Sequence, residues 1–156
     1  MGEIIIDLQS DHYFMGEALR QAAKAYTAEE VPVGAVVVRE GHIIGRAFNQ
    51  VELLKDATAH AEMLALKAAA AARKEPRLMD CDLVVTLEPC PMCAAAMSLF
   101  RVRRLVFGAY DPKGGGVEHG PRIFEAPGCL WRPEVVGGVR EQEAGELLRA
   151  FFQARR

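Results

Sequence analysis

Apolar positions along this chain switch between a helical and an alternating period, and the switches mark its elements. Residues 11–28 place Phe14, Ala18, Ala22 and Ala25 on one helical face, with Ser10 positioned to open the helix. Val33-Gly34-Ala35-Val36-Val37-Val38 reads as a buried strand, and Glu40-Gly41 turns it into a second strand over 42–49. A loop through Leu53 and Leu54 leads to a helix starting near His60, with Asp56 and Thr58 as candidate N-caps and an alanine-rich, helix-favouring stretch at 68–72. A strand over 83–87, opened by Cys81, precedes a helix carrying Cys90 and Cys93. Strands over 104–108 and, more weakly, 134–136 follow, with a flexible turn at Gly114-Gly115-Gly116 between them and a last helix from 141 to the end. Strands alternating with helices predict an α/β fold, a three-layer α/β/α sandwich around a mixed sheet of about five strands, in a single domain over 1–156.

Composition narrows the setting. Hydrophobic residues make up 51%, yet no apolar run approaches the ~20 residues of a membrane span. Met1-Gly2-Glu3-Ile4-Ile5-Ile6-Asp7 lacks the basic start and long apolar run of a signal peptide. Four cysteines fit a reducing cytoplasm better than a disulfide framework, so a cytoplasmic protein without membrane contact is expected. Net charge is −2, unevenly spread: residues 1–99 carry 9 Lys/Arg against 14 Asp/Glu, and residues 100–156 carry 10 against 7. The basic C-terminal part is either chance variation over a solvated surface or an edge for a phosphate backbone, and charge alone leaves both open.

The candidate chemistry lies in His60-Ala61-Glu62 and, thirty residues on, Pro89-Cys90-Pro91-Met92-Cys93. A structural zinc is usually closed by four protein ligands, whereas a catalytic one keeps three and leaves a position for water, whose pKa falls to about 7. His60, Cys90 and Cys93 supply three ligands. Cys81, seven strand steps before Glu88, lies roughly 23 Å away at strand rise, and Cys129 is distant in sequence, so the open site is favoured. Glu62 then serves as the general acid/base that moves a proton beside the metal. Residues two apart diverge on a regular helix, so His60 and Glu62 belong at a helix start, where side chains converge end-on. Cys90 and Cys93 share a face, Pro91 suits a first helical turn, and a helix N-terminus favours thiolates. Each feature has a plainer account alone: a redox Cys-x-x-Cys, a core histidine, a zinc that braces the fold, a solvated glutamate. Their joint spacing favours metal-assisted hydrolysis.

These residues match the H-x-E…P-C-x-x-C signature of zinc-dependent nucleobase deaminases. With Glu30-Val31-Pro32-Val33-Gly34-Ala35, Asp56-Ala57-Thr58-Ala59, Thr86-Leu87-Glu88 and Val106-Phe107-Gly108-Ala109, the chain resembles the bacterial tRNA-specific adenosine deaminases of the cytidine deaminase-like superfamily over nearly its whole length. The resemblance implies a cytidine deaminase-like fold, one zinc per subunit, a homodimer, and hydrolysis of adenosine to inosine at the wobble position of a tRNA anticodon stem-loop. It implies that Asn49 hydrogen-bonds the flipped base, Asp111 contacts the neighbouring sugar, and Lys113 lies near the RNA path. The terminal Phe151-Phe152-Gln153-Ala154-Arg155-Arg156 would lie along the anticodon loop, with Phe151 and Arg155 as contacts, and backbone near Leu87 and Ala61 would orient water and base.

Plainer readings stand beside these: Asn49 as a strand-end turn, Asp111-Pro112 as a turn opener, Phe151 and Phe152 as core anchors, Arg155 and Arg156 as favourable charge at a helix C-terminus. The chain departs from the family pattern where Leu130 and Trp131 replace an Asn-His pair and where 116–122 differs, both on the expected substrate side. Trp131 is either a stacking surface for a base or a core closure. Two rival functions follow: a deaminase of a free base or nucleoside, of guanine or cytosine type, and a catalytically silent RNA-binding partner subunit.

Overall fold

The computed structural model describes residues 2–155, with side chains from Ser10 onward. In chain order the elements are α1 (Gly2–Thr27), β1 (Gly34–Arg39), β2 (His42–Phe48), α2 (Val51–Leu54), α3 (Ala61–Arg73), β3 (Cys81–Leu87), α4 (Pro91–Phe100), β4 (Arg104–Ala109), a 3-10 turn (Ile123–Glu125), β5 (Glu134–Val136) and α5 (Glu141–Gln153). The strands form one mixed sheet in the order β2-β1-β3-β4-β5. Strand β1 runs antiparallel to both β2 and β3, while β3, β4 and β5 are mutually parallel. Strands β2, β3 and β4 therefore point the same way, and the chain leaves all three at one edge of the sheet. In open α/β sheets that edge is where ligands bind.

Period-two alternation sorts the core into two layers. Ala35, Val37, Leu83, Val85, Leu105 and Phe107 pack with Ala61, Ala65, Leu66, Cys93 and Met97 of α3 and α4. Val36, Val38, Val84 and Val106 face Met15 and Ala18 of α1 on the other side, where α5 packs on β4 and α1. A Cβ on Gly45 would lie 2.6 Å from the Ala65 carbonyl oxygen, so this glycine sets how closely α3 lies on β2. The expected three-layer α/β/α sandwich around a mixed five-stranded sheet is what forms.

The differences are local. Helix α1 begins at Gly2 rather than near 11. Neither Gly nor Pro interrupts the chain from Glu3 to Ser10, so nothing there breaks the helix, and Ser10 is interior rather than an N-cap. A short helix, α2, stands where a loop through Leu53 and Leu54 was expected, ended by Lys55 in the left-handed region. The N-cap of α3 is His60, not Asp56 or Thr58. Asp56 instead accepts from the Thr58 N–H and hydroxyl at 2.8 and 2.7 Å, a local turn that competes with capping. Residues 114–116 are not a flexible turn, since Gly115 and Gly116 are buried against the segment carrying Cys90.

One ion cluster ties the layers together. Arg104 of β4 bonds Asp11 of α1 at 2.9 Å, Asp82 of β3 at 3.1 Å and Glu134 of β5 at 2.7 Å. The Arg104, Asp11 and Asp82 side chains are only 14%, 12% and 13% exposed, so removing the cation would strand Asp11 in a poorly hydrated place, while Asp82 keeps its pair with Arg103. We expect Arg104→Ala to cost roughly 3 kcal/mol in urea unfolding of the zinc-loaded protein without changing its zinc content; a loss below about 0.5 kcal/mol would place the cluster among surface pairs of little weight.

Candidate active site

Two helix starts meet at the edge where β2 and β3 end. Helix α4 follows β3 after three residues, with Cys90 as N-cap in extended backbone, Pro91 in the first turn and Cys93 buried one turn in. Helix α3 starts at His60, an N-cap also in extended backbone, and Glu62 lies in its first turn. Among the described residues, His60, Cys90 and Cys93 form a group whose ligand atoms lie within 4.8 Å of one another. His60 Nδ1 is 3.6 Å from Cys90 Sγ and 3.6 Å from Cys93 Sγ. A tetrahedral zinc with Zn–N of about 2.0–2.1 Å and Zn–S of about 2.3 Å sets its N···S edges at about 3.6 Å. The donor set and its spacing therefore fit one zinc ion. Cys81 is elsewhere, 3.6 Å from the Arg73 guanidinium, and Cys129 lies by Ser98 and the Trp131 carbonyl, so neither closes the site.

The electrostatics divide the two thiols. A hydrogen bond from Cys93 and a further one from His60 hold the Cys90 thiol down to about 4, while the Cys90 thiolate and burial push Cys93 well above the ordinary thiol range. Burial pushes the Glu62 carboxyl up to about 7, and its side chain is only 4% exposed.

The cluster opens into a cavity of about 530 Å³ bounded by Val33, Asn49, His60, Glu62, Asp111 and Phe151, a size typical of small-molecule sites. A larger, shallower groove of about 850 Å³ along α1 and Arg140 includes none of these residues. Asn49 points its Oδ1 at the Ala61 N–H, 2.9 Å away, which satisfies one of the orphan donors at the start of α3 and leaves its amide NH₂ for the cavity. The Ala61 N–H is thereby already engaged. Asp111 accepts from Gly114 N–H at 2.9 Å and lines the cavity through that turn. Phe151 is both core anchor and cavity wall, edge-on to Tyr26 at 6.0 Å.

Other expected contacts fall outside. Lys113 is exposed beyond the rim. The Arg155 guanidinium stacks 3.4 Å over the Phe151 ring and donates to the Phe151 carbonyl, away from the cavity lining, and Arg156 lies outside the described residues. Trp131 is not a pocket residue: its Nε1 donates to the Val102 carbonyl at 2.8 Å and Arg101 lies over its ring, so it closes the end of α4. Leu130 beside it is 85% exposed. In the basic C-terminal part, Arg103, Arg104, Arg122 and Arg140 are paired with Asp82, Asp11, Glu125 and Glu143, while Lys113, Arg132, Arg149 and Arg155 are exposed.

Two cavity residues had no expected role. Glu30, 2% exposed, accepts from the N–H groups of Glu52 and Leu53 at 3.1 and 2.7 Å. Glu88, 1% exposed, binds the turn after β4. Their signal was an acid set directly beside apolar strand residues, in Glu30-Val31-Pro32-Val33 and Leu87-Glu88-Pro89.

Comparison with known proteins agrees with this geometry. The family description "Cytidine and deoxycytidylate deaminase zinc-binding region" matches residues 8–109. The chain is 49% identical over 144 residues to a tRNA-specific adenosine deaminase of Agrobacterium fabrum, covering 92% of this chain and 95% of that one. It superposes at a TM-score of 0.86 and 49% identity on a structure from work on A-to-I editing by tRNA:A34 deaminases at the wobble position of transfer RNA, covering 87% of this chain and 99% of that one. A guanine deaminase from Nitrosomonas europaea matches at a TM-score of 0.71 and 28% identity, over 88% of this chain and 81% of that one.

In metal-free protein Cys90 stays a thiolate above about pH 4. Its alkylation by iodoacetamide, followed by mass spectrometry, should vary little between about pH 5 and about pH 8, where an ordinary thiol gains about tenfold per unit. Zinc should protect it. A tenfold rise per pH unit at Cys90 would remove the thiolate assignment.

Proposed function

The chain belongs to the zinc-binding cytidine and deoxycytidylate deaminase family, and within it to the tRNA-specific adenosine deaminases, and on that premise we propose that it hydrolyses adenosine to inosine at the wobble position of a tRNA anticodon. One observation carries the chemistry: the buried carboxylate of Glu62 lines a cavity with His60 and Cys90, and the buried Cys93 completes with them a group spaced for a zinc that keeps an open position.

His60 Nδ1, Cys90 Sγ and Cys93 Sγ would hold one zinc per subunit, which when bound would make water available as a nucleophile near neutral pH. Glu62 takes one proton of the attacking water and delivers it to the adjacent ring nitrogen as the C–O bond forms at the purine C6. It then takes the second proton from the new C6 hydroxyl and passes it to the amine, whose C–N bond breaks, so adenosine and water give inosine and ammonia. Burial raises the Glu62 carboxyl above the ordinary carboxylate range, which favours taking up a proton in the cavity. Asn49, its oxygen fixed by Ala61, offers its NH₂ to the base edge. Asp111 meets the neighbouring sugar, and Phe151 forms the wall against which the flipped base rests. Lys113 and Arg155 flank the RNA path from outside the cavity. The active form is a homodimer in the cytoplasm, and no helix among the described residues is long and apolar enough to cross a membrane. A silent RNA-binding subunit has no use for a carboxylate buried at this cost, which weighs against that reading.

The test uses zinc-loaded protein and an anticodon stem-loop with adenosine at the wobble position, with inosine read by nuclease digestion and mass spectrometry. Wild type should form inosine. Glu62→Ala should keep its zinc and lose about 10²–10⁴-fold in turnover; turnover above about a tenth of wild type would remove the proton-shuttle role. No inosine from folded, zinc-loaded wild type, with ammonia released from guanine or cytosine, would make the protein a small-molecule deaminase.

A further inference from the structure

Glu88 follows β3 and its side chain is wholly buried at the cavity, one residue before the Pro-Cys step. Every hydrogen bond it accepts comes from the segment 111–119. Oε1 takes the Asp111 N–H at 3.0 Å and His119 Nδ1 at 2.8 Å. Oε2 takes the N–H groups of Val117, Glu118 and His119 at 3.2, 2.9 and 3.1 Å. A carboxylate has about four lone-pair sites, so Glu88 has no acceptor capacity left for a substrate. Burial alone would raise its pKa; the donors of Asp111, His119, Glu118 and Val117 outweigh burial and hold it below the usual range. The same turn is tied to the metal-binding strand exit, since Gly116 N–H donates to the Pro89 carbonyl at 2.8 Å. A Cβ on Gly115 would overlap the Glu88 carboxylate, so the turn lies as close to it as a chain can.

The four backbone donors are available to any sequence that follows this path. The ring donor belongs to His119 alone, which is partly exposed and stands edge-on to Tyr110 at 6.2 Å. Its bond to Glu88 fixes Nδ1 as the protonated nitrogen.

We propose that Glu88 and His119 are positioning residues: Glu88 holds the 111–119 segment against the cavity, and His119 locks it so that Asp111 is presented to the bound nucleotide in one place. The contact of Asp111 with the nucleotide rests on the function proposed above; the locking of the segment does not. Recognition of the nucleotide, rather than the proton transfer at Glu62, is what the lock serves.

His119→Ala and His119→Gln in the full, zinc-loaded chain test this, because a partly exposed ring can be removed without emptying the core. Amide hydrogen exchange in substrate-free protein reads the lock, and steady-state kinetics on the stem-loop reads its consequence. In His119→Ala, exchange at the backbone amides of positions 117, 118 and 119 should rise about tenfold, as expected for losing a hydrogen bond to a charged group. KM should rise by a similar factor, with kcat within about twofold and zinc retained. His119→Gln, which keeps a side-chain donor, should recover most of both effects. In an Asp111→Ala background, His119→Ala should change KM by less than about twofold, because the two act through one contact. Unchanged exchange in His119→Ala would overturn the lock. A fall in kcat with KM unchanged, or full additivity with Asp111→Ala, would overturn its role in recognition. Wild type that makes no inosine would sink the function proposed above, while the exchange result would still decide the lock by itself.

Discussion

Everything at this site depends on two helices starting at the same point in space. That follows from strand direction, because reversing β1 alone leaves β2, β3 and β4 all ending at one edge. An N-cap residue has extended backbone, so its side chain leaves the helix along the axis instead of sideways. His60 and Cys90 both occupy that position, and this brings an imidazole and a thiol together from two neighbouring helices of one layer. It also resolves the two-residue spacing of His60 and Glu62, which would diverge on a regular helix yet share a cavity here. The positive ends of two helix dipoles converge on a place built for a dication, which is unfavourable unless negative charge intervenes. Cys90 and Cys93 as thiolates would supply that charge and balance the ion, with a neutral His60 as third ligand.

Three buried glutamates line the cavity in three electrostatic settings, and the settings assign their work. Glu62 is buried and its pKa rises to about 7, the condition of a group that gains and loses a proton. Glu88 is buried as deeply but is saturated by five donors, the condition of a fixed anion. Glu30 accepts two N–H groups at the start of α2 and so holds the opposite rim. Burial is common to all three, so burial alone would not have told them apart. The count of donors does.

The fold and the metal cluster were legible in the sequence because both rest on short-range rules. Alternation gave β1 to β5 within a residue or two, and the spacing of His60, Glu62, Cys90 and Cys93 carried the chemistry. What escaped depends on partners far along the chain. Asp56 and Thr58 are good capping residues by type, but they bond each other, and His60 is left to cap α3. Trp131 stands where the family pattern changes, which suggested the substrate side, yet its indole reaches back to Val102. The glycines at 114–116 read as a flexible turn because glycine is permissive, whereas Gly115 and Gly116 are small to let the chain pass Glu88 and Pro91. Glu88 itself had no visible role, since its donors lie 23 to 31 residues later.

This division explains where such a site can change its substrate. The metal-binding residues and Glu62 sit on helix starts braced by two packed layers, so shifting any of them disturbs the sheet edge itself. The rim is held chiefly by hydrogen bonds, with Gly116 and Val117 anchoring one side to the Pro89 carbonyl and the core. Its β4 side is a turn gathered onto one carboxylate, and its β2 side is a single helical turn gathered onto another. A substitution at the partly exposed His119 can therefore loosen the rim without pressing on the Cys90 segment, as one at Gly116 would. A change of sequence in 117–119 then bears on the rim, because that segment runs through the Glu88 bonds. One at Trp131 bears on the end of α4, because its contacts are made there.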